Sequence, residues 1–136
     1  MYNKLYHRDL YFTTLDRDAE RYLLIVKELS ELFNLNFDKK LALTTILSEA
    51  IENAFIHGNK NQVNLCVAVS VIVNSKQIII EVEDEGNGFN IDDVPSPIDY
   101  ENLKKESGRG LFFIKSFSSS LDLLGKGNIL RIKVDR

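Results

Sequence analysis

The sequence predicts an α/β two-layer sandwich, in which a mixed, mainly antiparallel sheet carries its helices on one face. Two stretches in the first half place apolar residues at helical spacing, and two later stretches alternate apolar and polar residues strictly. Two further apolar stretches near the end flank a glycine-containing turn, which is typical of a hairpin. The chain has 136 residues, so we expect one domain that spans residues 1–136.

The first predicted elements are a short strand and two helices. Residues 10–13 form the strand, and residues 16–33 form a helix whose start offers threonine and aspartate caps. The second helix begins at a cap provided by Asp38 and is ended by Gly58 and Asn59, because glycine commonly follows the last turn of a helix.

Two strands follow, and their parity places one acidic side chain in the interior. In residues 65–73 the valines share one face and the polar residues share the other. In residues 77–84 three apolar side chains have the same parity as Asp84. We therefore expect Asp84 to extend the buried face.

The rest of the chain is predicted to be a long loop, a short helix and a hairpin. Residues 85–107 contain glycines, prolines and a polar run, and a loop of this length in a small domain is usually functional. The helix covers residues 110–118, and the hairpin strands cover residues 120–124 and 129–134.

Composition narrows the class of protein. The hydrophobic fraction of 44% and the charged fraction of 27% indicate a folded protein, and the net charge of −3 argues against direct nucleic-acid binding. The single cysteine, Cys66, cannot form an intrachain disulfide, which fits a reducing compartment. With no signal peptide at the start and no long apolar run, we expect a cytoplasmic protein without membrane contact. The two histidines and one cysteine are too few for the usual set of zinc ligands, so we expect no zinc site.

The segment SEAIENAFIHG at residues 48–58 carries a candidate catalytic pair. Glu49 and Asn53 are four residues apart, so their side chains lie one above the other on a helix face that is otherwise apolar. A carboxylate and a carboxamide in this arrangement suit a hydrated Mg²⁺ and a general base. Two capped polar groups at a helix end would produce the same pattern.

The segment DEGNGF at residues 84–89 follows directly from a strand. Its two glycines, Gly86 and Gly88, allow the backbone to approach a ligand closely, and a buried Asp84 can accept a hydrogen bond from an exocyclic amine. The same glycines would also serve an ordinary turn.

The segment SGRGL at residues 107–111 opens a helix after the long loop. Glycines at a helix N-terminus expose main-chain N–H groups and the positive end of the helix dipole, which together bind phosphate. Arg109 adds a permanent positive charge. A flexible helix start with a solvated arginine is the alternative.

Taken together, these three segments resemble the N, G1 and G2 boxes of the GHKL superfamily of ATPases and kinases, in order and along nearly the whole chain. More narrowly, the chain resembles the stand-alone anti-sigma factor serine/threonine kinases of bacteria, which share S-E-A-x-x-N-A-x-x-H-G and S-G-x-G. The resemblance implies the GHKL fold, ATP and Mg²⁺ as cofactors, and phosphorylation of an anti-anti-sigma protein of the STAS type. It also implies sequestration of a sigma factor by partner switching, and a homodimer.

The resemblance assigns roles by position. Glu49 is the expected catalytic base, and Asn53 the expected ligand of Mg²⁺ beside the ATP phosphates. Asp84 is expected to accept from the adenine amino group. The other residues expected to bind the nucleotide are Gly86, Gly88, Gly108, Arg109, Gly110 and Leu111, and residues 92–107 are the expected ATP lid.

The sequence departs from this family at one point. The family commonly has threonines before the last strand, with a hydroxyl near the adenine-binding aspartate, whereas this chain has Asn128 and Ile129. The departure leaves an alternative open, which is a nucleotide-dependent regulatory module with little or no kinase activity. A histidine kinase catalytic domain fits poorly, because we find no helical hairpin with a phosphoacceptor histidine.

Overall fold

A computed structural model describes residues 3–13, 20–86 and 106–136, with the side chains of residues 106–109 excluded. Its elements in chain order are β1 (Tyr6–Phe12), α1 (Tyr22–Phe33), α2 (Phe37–Asn53), a π-helix (Ala54–Gly58), β2 (Val67–Val73), β3 (Gln77–Asp84), α3 (Glu106–Phe117), β4 (Ser120–Leu124) and β5 (Ile129–Asp135).

The five strands form one sheet in the order β1-β2-β3-β5-β4. All four strand pairings are antiparallel, so the described sheet is more regular than the mixed, mainly antiparallel sheet that the sequence predicts. The two-layer α/β class is confirmed, because α1, α2 and α3 contribute to one apolar core with the inner face of the sheet. The alternating burial of β2 explains this layering, since every second residue of the strand is a buried valine.

Several boundaries differ from those predicted, and three of them bear on how the elements form. β1 begins at Tyr6 rather than at residue 10, because pairing with β2 holds a stretch whose own side chains are mostly polar. α2 is capped by Asn36, whose Oδ1 accepts from the N–H of Lys39 at 2.8 Å, and Asp38 lies instead in the first turn. α3 begins at Glu106 and so includes the glycine-containing segment.

Two regions of interest lie outside the described residues. Residue 16, the predicted start of α1, is among them, as is most of the expected lid and Gly88. α1 itself begins at Tyr22, and residues 20 and 21 before it are not helical, since Glu20 has a φ of 53°. Within the described ranges, no helix is long and apolar enough to cross a membrane.

Candidate functional site

α2 continues directly into the π-helix, and this continuation shapes the site. The N–H of Asn59 donates to the carbonyl of Ala54 at 2.8 Å, five residues earlier, which is the wide hydrogen-bonding pattern of a π-helix. Such segments occur frequently at functional sites. Here the π-helix brings Gly58 and Asn59 to the end of β3. Gly58 is the last residue of the segment SEAIENAFIHG, and Asn59 follows it directly.

Glu49 and Asn53 converge on Gly110 of α3. A Cβ placed on Gly110 would lie 2.8 Å from Oε2 of Glu49, 3.2 Å from Nδ2 of Asn53 and 3.3 Å from Oδ1 of Asn53. α3 can therefore approach α2 this closely only because residue 110 has no side chain. The predicted pairing of Glu49 with Asn53 and its proximity to the glycine segment are both present in the structure.

Asn53 has an incomplete set of hydrogen bonds. Its side chain is 9% exposed, and its Nδ2 has no partner among the residues that the structure describes. A buried amide donor without an acceptor is costly, so the position is one where a bound acceptor is expected. A phosphate oxygen would supply one.

Asp84 is the last residue of β3. It lies on the buried face of the sheet, as its parity predicts, and is only 5% exposed. Its Oδ1 accepts from the N–H of Gly86 at 2.8 Å. Burial raises the pKa of the Asp84 carboxyl above its ordinary value, while the bond from Gly86 and the charge of Lys126 oppose that shift. A buried carboxylate at the end of a strand is suited to recognising a ligand that donates a hydrogen bond.

The backbone around Asp84 is packed so closely that only glycine fits at two positions. A Cβ on Gly58 would lie 2.2 Å from both Cγ and Oδ2 of Asp84, and a Cβ on Gly86 would lie 1.8 Å from the carbonyl oxygen of Gly58. The two glycines therefore let the end of the π-helix and the end of β3 pack directly on each other.

Asn59 fixes this contact, and the sequence analysis assigned it no role beyond ending a helix. It is 1% exposed. Its Oδ1 accepts from the N–H of Glu85 at 2.8 Å, and its Nδ2 donates to the carbonyl of Cys66 at 3.0 Å. Its signal in the sequence is its place directly after the glycine that ends the SEAIENAFIHG segment.

A small cavity of about 20 Å³ joins the parts of the site. It is lined by α2 and the π-helix (Ala50, Asn53, Ala54), by β3 and β5 (Val82, Asp84, Leu130), by Leu111 of α3, and by Leu123, Gly127 and Asn128. This volume admits one water molecule, so α3 or the lining side chains must shift for a larger ligand to enter. The strand residues Val82, Leu123 and Leu130 were missed by the sequence analysis, because nothing in a strand pattern distinguishes a pocket residue from a core residue.

The predicted phosphate-binding segment lies in the first turns of α3. The N–H groups at the very start of an α-helix have no acceptor within it and suit an anion, so Gly108, in the first turn of α3, is placed for such a contact. What Gly110 offers the site is space, because a Cβ there would meet Glu49 and Asn53. The side chain of Arg109 lies outside the described part.

The residues present fit a magnesium nucleotide better than a metal held by protein alone. Within the described ranges, no three side chains of His, Cys, Asp and Glu are grouped so that they could hold a metal ion. Mg²⁺ usually takes one or two protein oxygens together with phosphates and water, and Asn53 and Glu49 can supply such oxygens.

The chain is similar to a family model and to several known proteins. A family model described as "Histidine kinase-like ATPase domain" matches residues 12–134. The anti-sigma F factor of Geobacillus thermodenitrificans (strain NG80-2) is 32% identical over 101 residues, which are 71% of this chain and 69% of that protein. The anti-sigma F factor of Thermoanaerobacter sp. (strain X514) is 30% identical over 95 residues, which are 66% of each protein. The chain thus spans just under two thirds of the length of the Thermoanaerobacter relative.

Proposed function

Because the chain belongs to the histidine kinase-like ATPase family, we propose that it is an ATP-dependent protein serine/threonine kinase of the anti-sigma type. In this proposal it transfers the γ-phosphoryl group of ATP to a serine of an anti-anti-sigma partner of the STAS type. It also sequesters a sigma factor, as a homodimer in the cytoplasm, and releases it by partner switching.

The observation that carries the proposal is the convergence of Glu49, Asn53 and Gly110 beside the cavity that Asp84 lines. A carboxylate, a buried unpaired amide and the N-terminus of a helix meet there, and these groups suit a base, a phosphate oxygen and an anion respectively. Asp84 lines the same cavity, and a base with an exocyclic amine can donate to it.

The residues of this chain divide the work of transfer. Asn53 and the N–H groups that begin α3 hold the phosphates, and Glu49 accepts the proton of the serine hydroxyl as the serine oxygen bonds to the γ-phosphorus. The bond from that phosphorus to the bridging oxygen breaks, and ADP leaves. When bound, Mg²⁺ would be held by Asn53 together with the phosphates and would neutralise the charge that develops on them.

The second candidate is a nucleotide-dependent binding module with little or no kinase activity. It is favoured by Asn128 and Ile129, which replace the threonines common in the family, and by a cavity that must widen before it can admit a base. In that case ATP binding would change the affinity for a partner without transfer of phosphate.

Phosphoryl transfer distinguishes the two candidates. The purified chain is incubated with γ-labelled ATP, Mg²⁺ and candidate anti-anti-sigma proteins that carry the acceptor serine. We expect label on the partner with the parent chain, none with Glu49→Ala, and undiminished transfer with Glu52→Ala, which removes an exposed carboxylate from the same helix. Saturable ATP binding without transfer to any partner would favour the binding module. Sedimentation equilibrium of the same samples tests the proposed homodimer.

A further inference from the structure

The turn between β4 and β5 reaches across to the end of β3 through Asn128. The N–H of Asp84 donates to the main-chain carbonyl of Asn128 at 2.9 Å, and Nδ2 of Asn128 donates to the main-chain carbonyl of Asp84 at 3.0 Å. The regular register of β3 with β5 ends one residue earlier, at the pair of Glu83 and Ile129.

This pair of bonds replaces the last step of the ladder. In a regular hydrogen-bonded pair of antiparallel strands, two residues exchange two main-chain N–H···O bonds. Here the side-chain amide of Asn128 supplies the donor that its main-chain N–H would supply in a regular pair. Both polar main-chain groups of Asp84 are therefore held by one residue.

The orientation of the Asn128 amide follows from its neighbours. The main-chain carbonyl oxygen of Asp84 can only accept a hydrogen bond, so the amide nitrogen Nδ2 of Asn128, and not Oδ1, faces it. Oδ1 lies on the side of the turn, 3.0 Å from the position that a Cβ on Gly125 would take. Gly125 has a φ of 62°, a conformation that glycine adopts readily, and its lack of a side chain leaves room for the Asn128 amide.

We propose that Asn128 is a positioning residue that sets base selectivity at the nucleotide site, by holding the Asp84 backbone so that its carboxylate stays at a fixed place in the cavity. The inference rests on the proposed function, because it requires a nucleotide base in the cavity that Asp84 and Asn128 both line. A rigid carboxylate accepts from the amino group of adenine and opposes the carbonyl of hypoxanthine at the same position. A carboxylate on a loosened strand end can move away from that carbonyl, so discrimination falls.

The test compares the dissociation constants of ATP and inosine triphosphate by calorimetric titration. Selectivity is expressed as the dissociation constant of inosine triphosphate divided by that of ATP. In Asn128→Ala we expect this ratio to fall about tenfold, towards unity, which corresponds to 1.4 kcal/mol. Asn74→Ala is the matched control. Asn74 is likewise a turn asparagine, buried where Asn128 is half-buried, and its Oδ1 accepts from the N–H groups of Lys76 and Gln77 at the far end of β3. This control is expected to lower stability and to leave the ratio unchanged.

A double-mutant cycle separates positioning from general damage. In an Asp84→Ala background, Asn128→Ala is expected to leave the ratio as it is, because the group that Asn128 positions is gone. If Asn128→Ala does not fold, Gly125→Ala takes its place. The added Cβ crowds the Asn128 amide from the turn, and we expect the ratio of the dissociation constants of inosine triphosphate and ATP to fall although Asn128 is retained.

The outcomes are distinct. A parent chain that prefers ATP, combined with an unchanged ratio in Asn128→Ala or in Gly125→Ala where that variant stands in, would overturn the role of Asn128 and leave the proposed function intact. A parent chain that binds neither nucleotide would overturn the proposed function and this inference with it.

Discussion

Asn59 connects the π-helix, the start of β2 and the end of β3, and its removal has a calculable cost. Asn59→Ala leaves the N–H of Glu85 and the carbonyl of Cys66 without their partner. Each loss costs about 1–2 kcal/mol, because both groups are only partly buried, so the free energy of unfolding falls by about 2–4 kcal/mol. For 136 residues the entropy of unfolding is about 0.29 kcal/mol/K, and Tm is expected to fall by about 7–14 °C.

Thermal unfolding followed by circular dichroism measures this effect against Asn36→Ala. Asn36 is exposed and caps α2 with one hydrogen bond, so its loss is expected to cost about 1 kcal/mol, or roughly 3 °C. Asn59→Ala should also weaken ATP binding in the folded fraction, which Asn36→Ala should not. A decrease in Tm for Asn59→Ala no larger than that for Asn36→Ala would refute the assignment of Asn59 as the residue that fixes the site.

Three further predictions concern the close contacts and the buried carboxyl. Gly58→Ala is expected to lower the free energy of unfolding by about 2–5 kcal/mol and to lose ATP binding, because its Cβ would lie 2.2 Å from Cγ of Asp84. An unaltered Tm and an unaltered calorimetric titration with ATP would contradict this. Gly110→Ala is expected to change Tm little, because the helix preference of alanine, about 1 kcal/mol, opposes the cost of displacing Glu49 and Asn53. The displacement of Glu49 is expected to slow phosphoryl transfer roughly 10–100-fold in a transfer assay. Asp84→Asn is expected to raise Tm at pH values above the raised pKa of the parent carboxyl, because burial destabilises its charged form, and this gain should shrink as pH falls through that pKa. A gain in Tm for Asp84→Asn that does not vary with pH would contradict the burial of charge.

The parity of β3 is the clearest case in which sequence predicted site geometry. The period-two pattern fixes which face each residue takes, so Asp84 had to point inward once its apolar neighbours did. Helical spacing placed Glu49 and Asn53 together for the same kind of reason. Both are local rules, and they do not depend on the rest of the fold.

Contacts between distant segments were not predictable in this way. Asn59 and Asn128 act through main-chain groups of residues 26 and 44 positions away, and no periodicity reports such pairings. The early start of β1 has the same origin, because β2 supplies the hydrogen bonds that its polar sequence does not suggest. The packing of Gly110 on Glu49 likewise depends on how α3 docks on α2.

The central claim is that Asn53 and Asp84 bind the two ends of ATP in one site. Calorimetric titration of the chain with ATP, with and without Mg²⁺, tests this claim most directly when it is repeated with Asn53→Ala. The account predicts saturable binding that needs Mg²⁺, that Asn53→Ala abolishes and that Asn36→Ala retains. Absence of binding by the folded parent chain, or full binding by Asn53→Ala, would contradict it.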